Sequence, residues 1–98
     1  MFSGLRFEWD PNKNVDNKRK HGISFEQAQT VFLDENAHEY FDPDHSEDEE
    51  RFLMLGMSSQ ERVMVVSYCR KESESIIRII SARKAKMSEE VSYLEGMK

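Results

Sequence analysis

The stretch "SESIIRIISARKAK", residues 73–86, decides how the chain folds. Four isoleucines in the five positions 76–80 read as a buried β-strand, because β-branched side chains pack well on a pleated surface. Arg78 splits the run, and Arg83, Lys84 and Lys86 crowd its exit. A cation removed from water has to be compensated, so these side chains require a negative partner. Upstream, residues 51–57 and 62–70 are similarly rich in Val, Leu, Met and aromatics. Short connectors make adjacent strands antiparallel hairpins.

The last hairpin has two readings. A turn over 71–75 sets Arg70 opposite Ile76, Tyr68 opposite Arg78 and Val63 opposite Arg83. A turn over 71–74 sets Arg62 opposite Arg83 and moves Arg83 to the sheet face of Arg70, because side chains alternate with period two. In both, one end of the hairpin gathers Arg70, Arg78 and, from the next strand, Arg51 with Glu50. The other end gathers Arg62, Arg83 and Lys84. At about 3.3 Å per residue the ends lie roughly 20 Å apart. Guanidinium forks suit phosphate oxygens and stay charged at any physiological pH, so a polyanion is the expected ligand. The neighbouring acids Glu61, Glu72 and Glu74 fall in turns rather than strands.

Before these strands, "LRFEW" alternates Leu5, Phe7 and Trp9 with Arg6 and Glu8, the signature of a half-buried strand. Asp10 and Pro11 predict a helix start, and Gly22 a stop after His21. Ser24 and Gln27 form a capping box for a second helix with Phe25, Ala28, Val31 and Phe32 on one face. "AHEYF" is a short strand and "DPDHSEDEE" a loop. A closing helix follows, with Ser88 as cap and Met87, Val91 and Leu94 inward. The expected fold is α+β: an antiparallel sheet of three to five strands, with two N-terminal helices and a C-terminal helix packed on one face and the other face open.

Ninety-eight residues suffice for one domain, 1–98, with one modest core. The longest apolar runs, Phe52–Leu55 and Val63–Val66, are far short of the ~20 residues of a membrane span, and no signal peptide is recognisable. Cys69 is the single cysteine, which fits a reducing cytoplasm. The net charge of −5 is unevenly spread. Nine of the 19 acids and none of the 14 lysines and arginines lie in residues 34–50, so the other 81 residues hold 14 basic and 10 acidic groups. A net-acidic chain thus keeps a cationic body.

"KRKHG" (18–22) adds His21, a candidate general acid or base at neutral pH. "DPDHSEDEE" fails the calcium-loop pattern, since Glu47 stands at the glycine position and Leu53 at the bidentate acid. His38 and His45 with these acids would hold a divalent ion only loosely, and neither a metal nor a cofactor is expected. The helix pair around Gly22 has the outline of a helix-turn-helix. Its second helix, "SFEQAQTVFLD", lacks the cations that read a groove. A non-catalytic interaction domain, docking a basic partner on the acidic segment, is the other alternative.

Taken in order, "FEWDPNKNVDNKRKHGISFEQAQTVF", "DPDHSEDEERFLMLGMS" and "VVSYCRKESESIIRIISARKA" resemble the BrnT toxins of bacterial type II toxin–antitoxin modules, over residues 7–86. The resemblance implies a RelE-like ribonuclease fold and RNA cleavage that halts translation. It also implies a hetero-oligomer with a neutralising BrnA antitoxin, through which alone the toxin meets DNA. Metal-free cleavage uses the 2′-hydroxyl as nucleophile and needs a base, an acid and cations for the phosphorane. On that reading Arg83 and Arg70 stabilise phosphate, His21 or Glu50 transfers protons, and Lys13 adds a phosphate contact. Arg51, Arg62, Arg78 and Lys84 position the RNA backbone, and Trp9 stacks on a base or fills the core.

Overall fold

The alternation read along residues 51–84 does build a sheet, and the rest of the chain is arranged by what each face of that sheet must cover. The structure, a computed structural model, describes residues 4–46, 49–71 and 75–96. In chain order they form β1 (Arg6–Glu8), α1 (Pro11–His21), α2 (Phe25–Ala28) running into a 3-10 turn (Gln29–Leu33), and β2 (His38–Asp42). A 3-10 turn (Pro43–His45), β3 (Arg51–Met57), β4 (Val63–Lys71), β5 (Ile76–Lys84) and α3 (Met87–Glu95) follow. Among the described residues the sheet has five strands in the order β1-β5-β4-β3-β2.

β2 to β5 are antiparallel neighbours, as expected, but β1 runs parallel to β5, so the sheet is mixed. β1 reaches the sheet through a helical layer rather than a hairpin, and such a connection permits parallel pairing.

The first face carries the main core. Ile23, Phe25, Ala28, Val31 and Phe32 from the helical layer meet Met54, Met64, Val66, Tyr68, Ile77, Ile79 and Ala82 from the strands. Trp9 packs edge-on against Phe25 at 6.0 Å and so serves this core. The local signals act as anticipated. Asp10 accepts from the Asn12 N–H at 2.8 Å, Gly22 ends α1 at φ 70°, and Ser24 accepts from the Gln27 N–H at 3.0 Å. The buried Asn17 fixes α1 to the sheet: its amide donates to the Ala82 carbonyl at 2.8 Å and accepts from the Ala82 N–H at 3.1 Å. Gly56 lets the layer approach β3, since a Cβ there would lie 2.7 Å from Val31 Cγ1.

The C-terminal helix corrects the expectation. It packs on the second face, where Leu55, Val65 and Ala85 form a smaller core with Tyr93, flanked by Leu53, Met57 and Val63. A sheet apolar on both faces needs a cover on each. Within α3 the buried side chain is Tyr93, whereas Met87, Val91 and Leu94, expected to point inward, are 84%, 47% and 49% exposed. The residue preceding the helix is Lys86 rather than Ser88, and its N–H donates to Glu89 at 2.8 Å. The Tyr93 hydroxyl donates to Asp34 Oδ2 at 2.6 Å. Burial pushes the Asp34 carboxyl up, but hydrogen bonds from Tyr93, Met57 and Asn36 outweigh it, leaving Asp34 below its ordinary value.

The last hairpin follows neither anticipated register. Lys71 pairs with Ile76 and Arg70 with Ile77; beyond a bulge, Ser67 pairs with Ser81 and Val65 with Arg83. The bulge leaves Ile80 as the extra residue on β5 and reverses the alternation beyond it. Ile77, Ile79 and Ala82 are therefore all buried on the first face, and Arg83 turns to the second.

Candidate functional site

Strand register sorts the sequence-predicted residues onto two faces. On the second face, one row crosses four strand pairings: Asp42 opposite Arg51, Arg51 opposite Cys69, Cys69 opposite Arg78, and Arg78 opposite Glu8. Arg6 and Lys71 share this face one position toward the last hairpin turn, and Arg83 lies at its α3 end. Among the described residues, Arg6, Arg51, Lys71, Arg78 and Arg83 thus occupy the strand face opposite the main helical layer.

Arg78 Nη1 lies 3.3 Å from Glu8 Oε2, and Lys71 Nζ is 3.9 Å from the same oxygen. Cys69 is fully buried in the middle of the row. Burial first, then the nearby Glu49 carboxylate, pushes its thiol up, which makes it a packing residue rather than a nucleophile.

The segment after β2 closes the row. His45 Nδ1 lies 2.9 Å from Asp42 Oδ2, and the imidazole is 63% exposed. The Ser46 hydroxyl donates to the Asp42 carbonyl at 2.6 Å and accepts from the Arg51 N–H at 2.9 Å. The sequence marks His45 only as a loose metal ligand. The signal that could have marked it is the Asp-x-x-His spacing over 42–45.

Arg83 makes a fork-on-fork pair with Glu89, Nη1 and Nη2 each 2.8 Å from a carboxylate oxygen. That bonding draws the Glu89 carboxyl down to about 2 and raises Arg83. Glu61 lies in the turn between β3 and β4 as expected, and the strand cations find their carboxylates on other elements, at Glu8, Glu39 and Glu89.

Arg70 is on the first face, separated from Arg83, Arg78 and Arg51 by the sheet. It pairs with Glu39, which also accepts from the Tyr68 hydroxyl, and its guanidinium lies 4.5 Å above the Phe52 ring. Burial, then Glu39, holds the Tyr68 phenol well above its ordinary value. Arg70 and Glu39 line a cleft of about 660 Å³ with Leu33, Asp34 and Met54 beside them. Glu39 was also overlooked. The alternation Ala37, Glu39, Phe41 places an acid on the apolar face of β2, and that was readable.

Arg62 donates to the Gly22 carbonyl at 3.3 Å, joining the basic end of α1, which carries Lys18, Arg19, Lys20 and His21. Lys84, opposite Met64, shares this first-face side. Lys13 is exposed in the first turn of α1, and Glu50 is exposed just before β3. Each expected cationic end is thus divided between the two faces. Glu47, Asp48, Glu72 and Glu74 lie outside the described residues. The helix-turn-helix alternative loses its recognition helix, since α2 is a single turn with Phe25 and Ala28 buried.

A family model for the ribonuclease toxin BrnT of type II toxin–antitoxin systems matches residues 9–89. No curated protein matches the chain. Among solved structures, the crystal structure of the Brucella abortus ribonuclease toxin BrnT is similar at a TM-score of 0.62 and 21% identity, over 85% of this chain and 99% of that one. At that identity the likeness shows the fold.

Proposed function

The chain belongs to the family of BrnT ribonuclease toxins of type II toxin–antitoxin systems, and from that premise we propose that it cleaves RNA on the second face of its sheet by metal-independent acid–base chemistry. The family match supports the ribonuclease reading, and the choice of face rests on the row in which Arg51 and Arg78 flank Cys69. Arg51 and Arg78, either side of Cys69, are assigned to the scissile phosphate. Guanidinium groups preorganised where a phosphorane gains charge supply the largest part of such catalysis. Glu8 shares its carboxylate between Arg78 and Lys71, so an incoming phosphate replaces a partly exposed partner. Glu50, adjacent to Arg51, is assigned as a proton-transfer group.

Arg83 extends the phosphate track toward α3. Arg62, Lys84, Lys13 and His21 hold the RNA backbone outside the cleavage centre, while Arg70, engaged by Glu39 and the Phe52 ring, serves the first face. The arrangement is read as a variant of the RelE-like ribonuclease fold. Cleavage halts translation in the cytoplasm, and a DNA-binding antitoxin of the BrnA kind neutralises the toxin in a hetero-oligomer.

Incubating purified protein with single-stranded RNA, with and without a chelator, tests this. Fragments ending in 2′,3′-cyclic phosphate and 5′-hydroxyl are expected in both. RNA left intact by folded protein overturns the reading.

A further inference from the structure

We infer that His45, oriented by Asp42, is the general base of the cleavage site. The inference rests on the ribonuclease reading and names a residue that neither the family match nor the strand cations supply.

Three hydrogen bonds fix the geometry. His45 Nδ1 meets Asp42 Oδ2 at 2.9 Å, Ser46 Oγ donates to the Asp42 carbonyl at 2.6 Å, and the Arg51 N–H donates to Ser46 Oγ at 2.9 Å. The loop thereby links the last residue of β2 to the first residue of β3, which are also paired in register. With Nδ1 engaged by a carboxylate, the ring is held in one orientation and Nε2 is left to exchange a proton. The imidazole is 63% exposed, so a substrate reaches it.

The position matters as much as the pair. Asp42 heads the row that continues through Arg51 and Cys69 to Arg78. At about 4.8 Å between strands the row spans roughly 14 Å from β2 to β5. The buried Cys69, with the Glu49 carboxylate against its thiol, lies between the two arginines. A proton acceptor one strand from Arg51, with Arg78 two strands further along the same row, supplies the base and the cations that internal transesterification needs. His21, by contrast, sits at the end of α1 on the first-face side, away from this row.

The step balances as follows. His45 Nε2 takes the proton of the 2′-hydroxyl as the 2′-oxygen forms a bond to phosphorus. The bond from phosphorus to the 5′-oxygen breaks with its electron pair, and that oxygen takes a proton relayed from solvent by Glu50. The imidazolium returns its proton to water. The products are a 2′,3′-cyclic phosphate and a 5′-hydroxyl.

His45→Ala, His45→Gln and Asp42→Asn are compared with the unsubstituted protein on an RNA oligonucleotide. Binding is measured with the same oligonucleotide bearing a 2′-deoxy block at the cleaved position, and folding by thermal melt. Both His45 variants should lose about 10²–10⁴-fold in kcat with blocked-oligonucleotide binding retained, and added imidazole should restore part of the His45→Ala activity. Asp42→Asn, a positioning variant, should lower kcat and leave KM nearly unchanged. Full activity in folded His45→Ala and His45→Gln overturns the assignment while the ribonuclease reading stands. RNA left intact by the unsubstituted protein overturns both.

Discussion

The two faces of the sheet use similar residues differently. On the first face Arg70 and Glu39 close the rim of the main core, held by Tyr68 and by the Phe52 ring. On the second, Arg51 and Arg78 stand in a row with a half-exposed Glu8 at one end and the Asp42–His45 pair at the other. A guanidinium locked by a carboxylate, a phenol and an aromatic ring mainly stabilises. One whose partner is exposed and shared can exchange it for a ligand at small cost, because exposed ion pairs contribute only ~0–1 kcal/mol.

The most damaging substitution should be on the first face. Phe32, 1% exposed, packs edge-on against Phe7 at 5.2 Å and Tyr68 at 4.9 Å. Phe32→Ala should remove about 3–5 kcal/mol of stability, read by urea denaturation. A loss below ~1 kcal/mol would show that this core is less tightly packed than described.

Next comes the contrast between arginines. Arg78→Ala should lower the cleavage rate about 10²–10³-fold with little change in melting temperature. Arg70→Ala should instead destabilise, by about 1 kcal/mol for the lost pair with a partly exposed Glu39, and leave kcat close to normal. The reverse pattern would move the cleavage centre to the Glu39 cleft.

The smallest effect is at the Arg83–Glu89 pair. Glu89 titrates near 2 when folded, against an ordinary 4.5. Its stabilisation is therefore present above about pH 4.5 and is lost as pH falls toward 2. Both side chains are about a third exposed, so about 1 kcal/mol is expected. Melts of Glu89→Gln and the unsubstituted protein should differ at pH 6 and converge near pH 2. Arg83→Ala carries the same small cost, so its melt should fall slightly even where its main effect is on RNA.

The strands were legible from alternation and β-branched content, and the helix boundaries from Asp10, Gly22 and Ser24. The bulge was not, because "IIRII" offers isoleucines to both faces and no local residue marks where the alternation breaks, and the fate of Arg83 went with it. The helical stripe Met87, Val91, Leu94 has the right spacing for a buried face. Periodicity cannot tell such a stripe from an exposed one, and here Tyr93 and its bond to Asp34 set how the helix sits. The parallel seating of β1 depends on the space left by the helical layer, which no local pattern records. His45 was passed over because it sits among nine acids, where composition says loop and only the spacing to Asp42 says otherwise.

The unmatched Ile80 divides β5 into two independently framed halves. Excising that single residue would leave Ile77 and Ile79 facing the helices. Ala82 would stay opposite Val66 and Arg83 opposite Val65, now in one unbroken ladder. A one-codon deletion there therefore preserves which side chains meet each layer, and this strand has a position at which a change of length costs little.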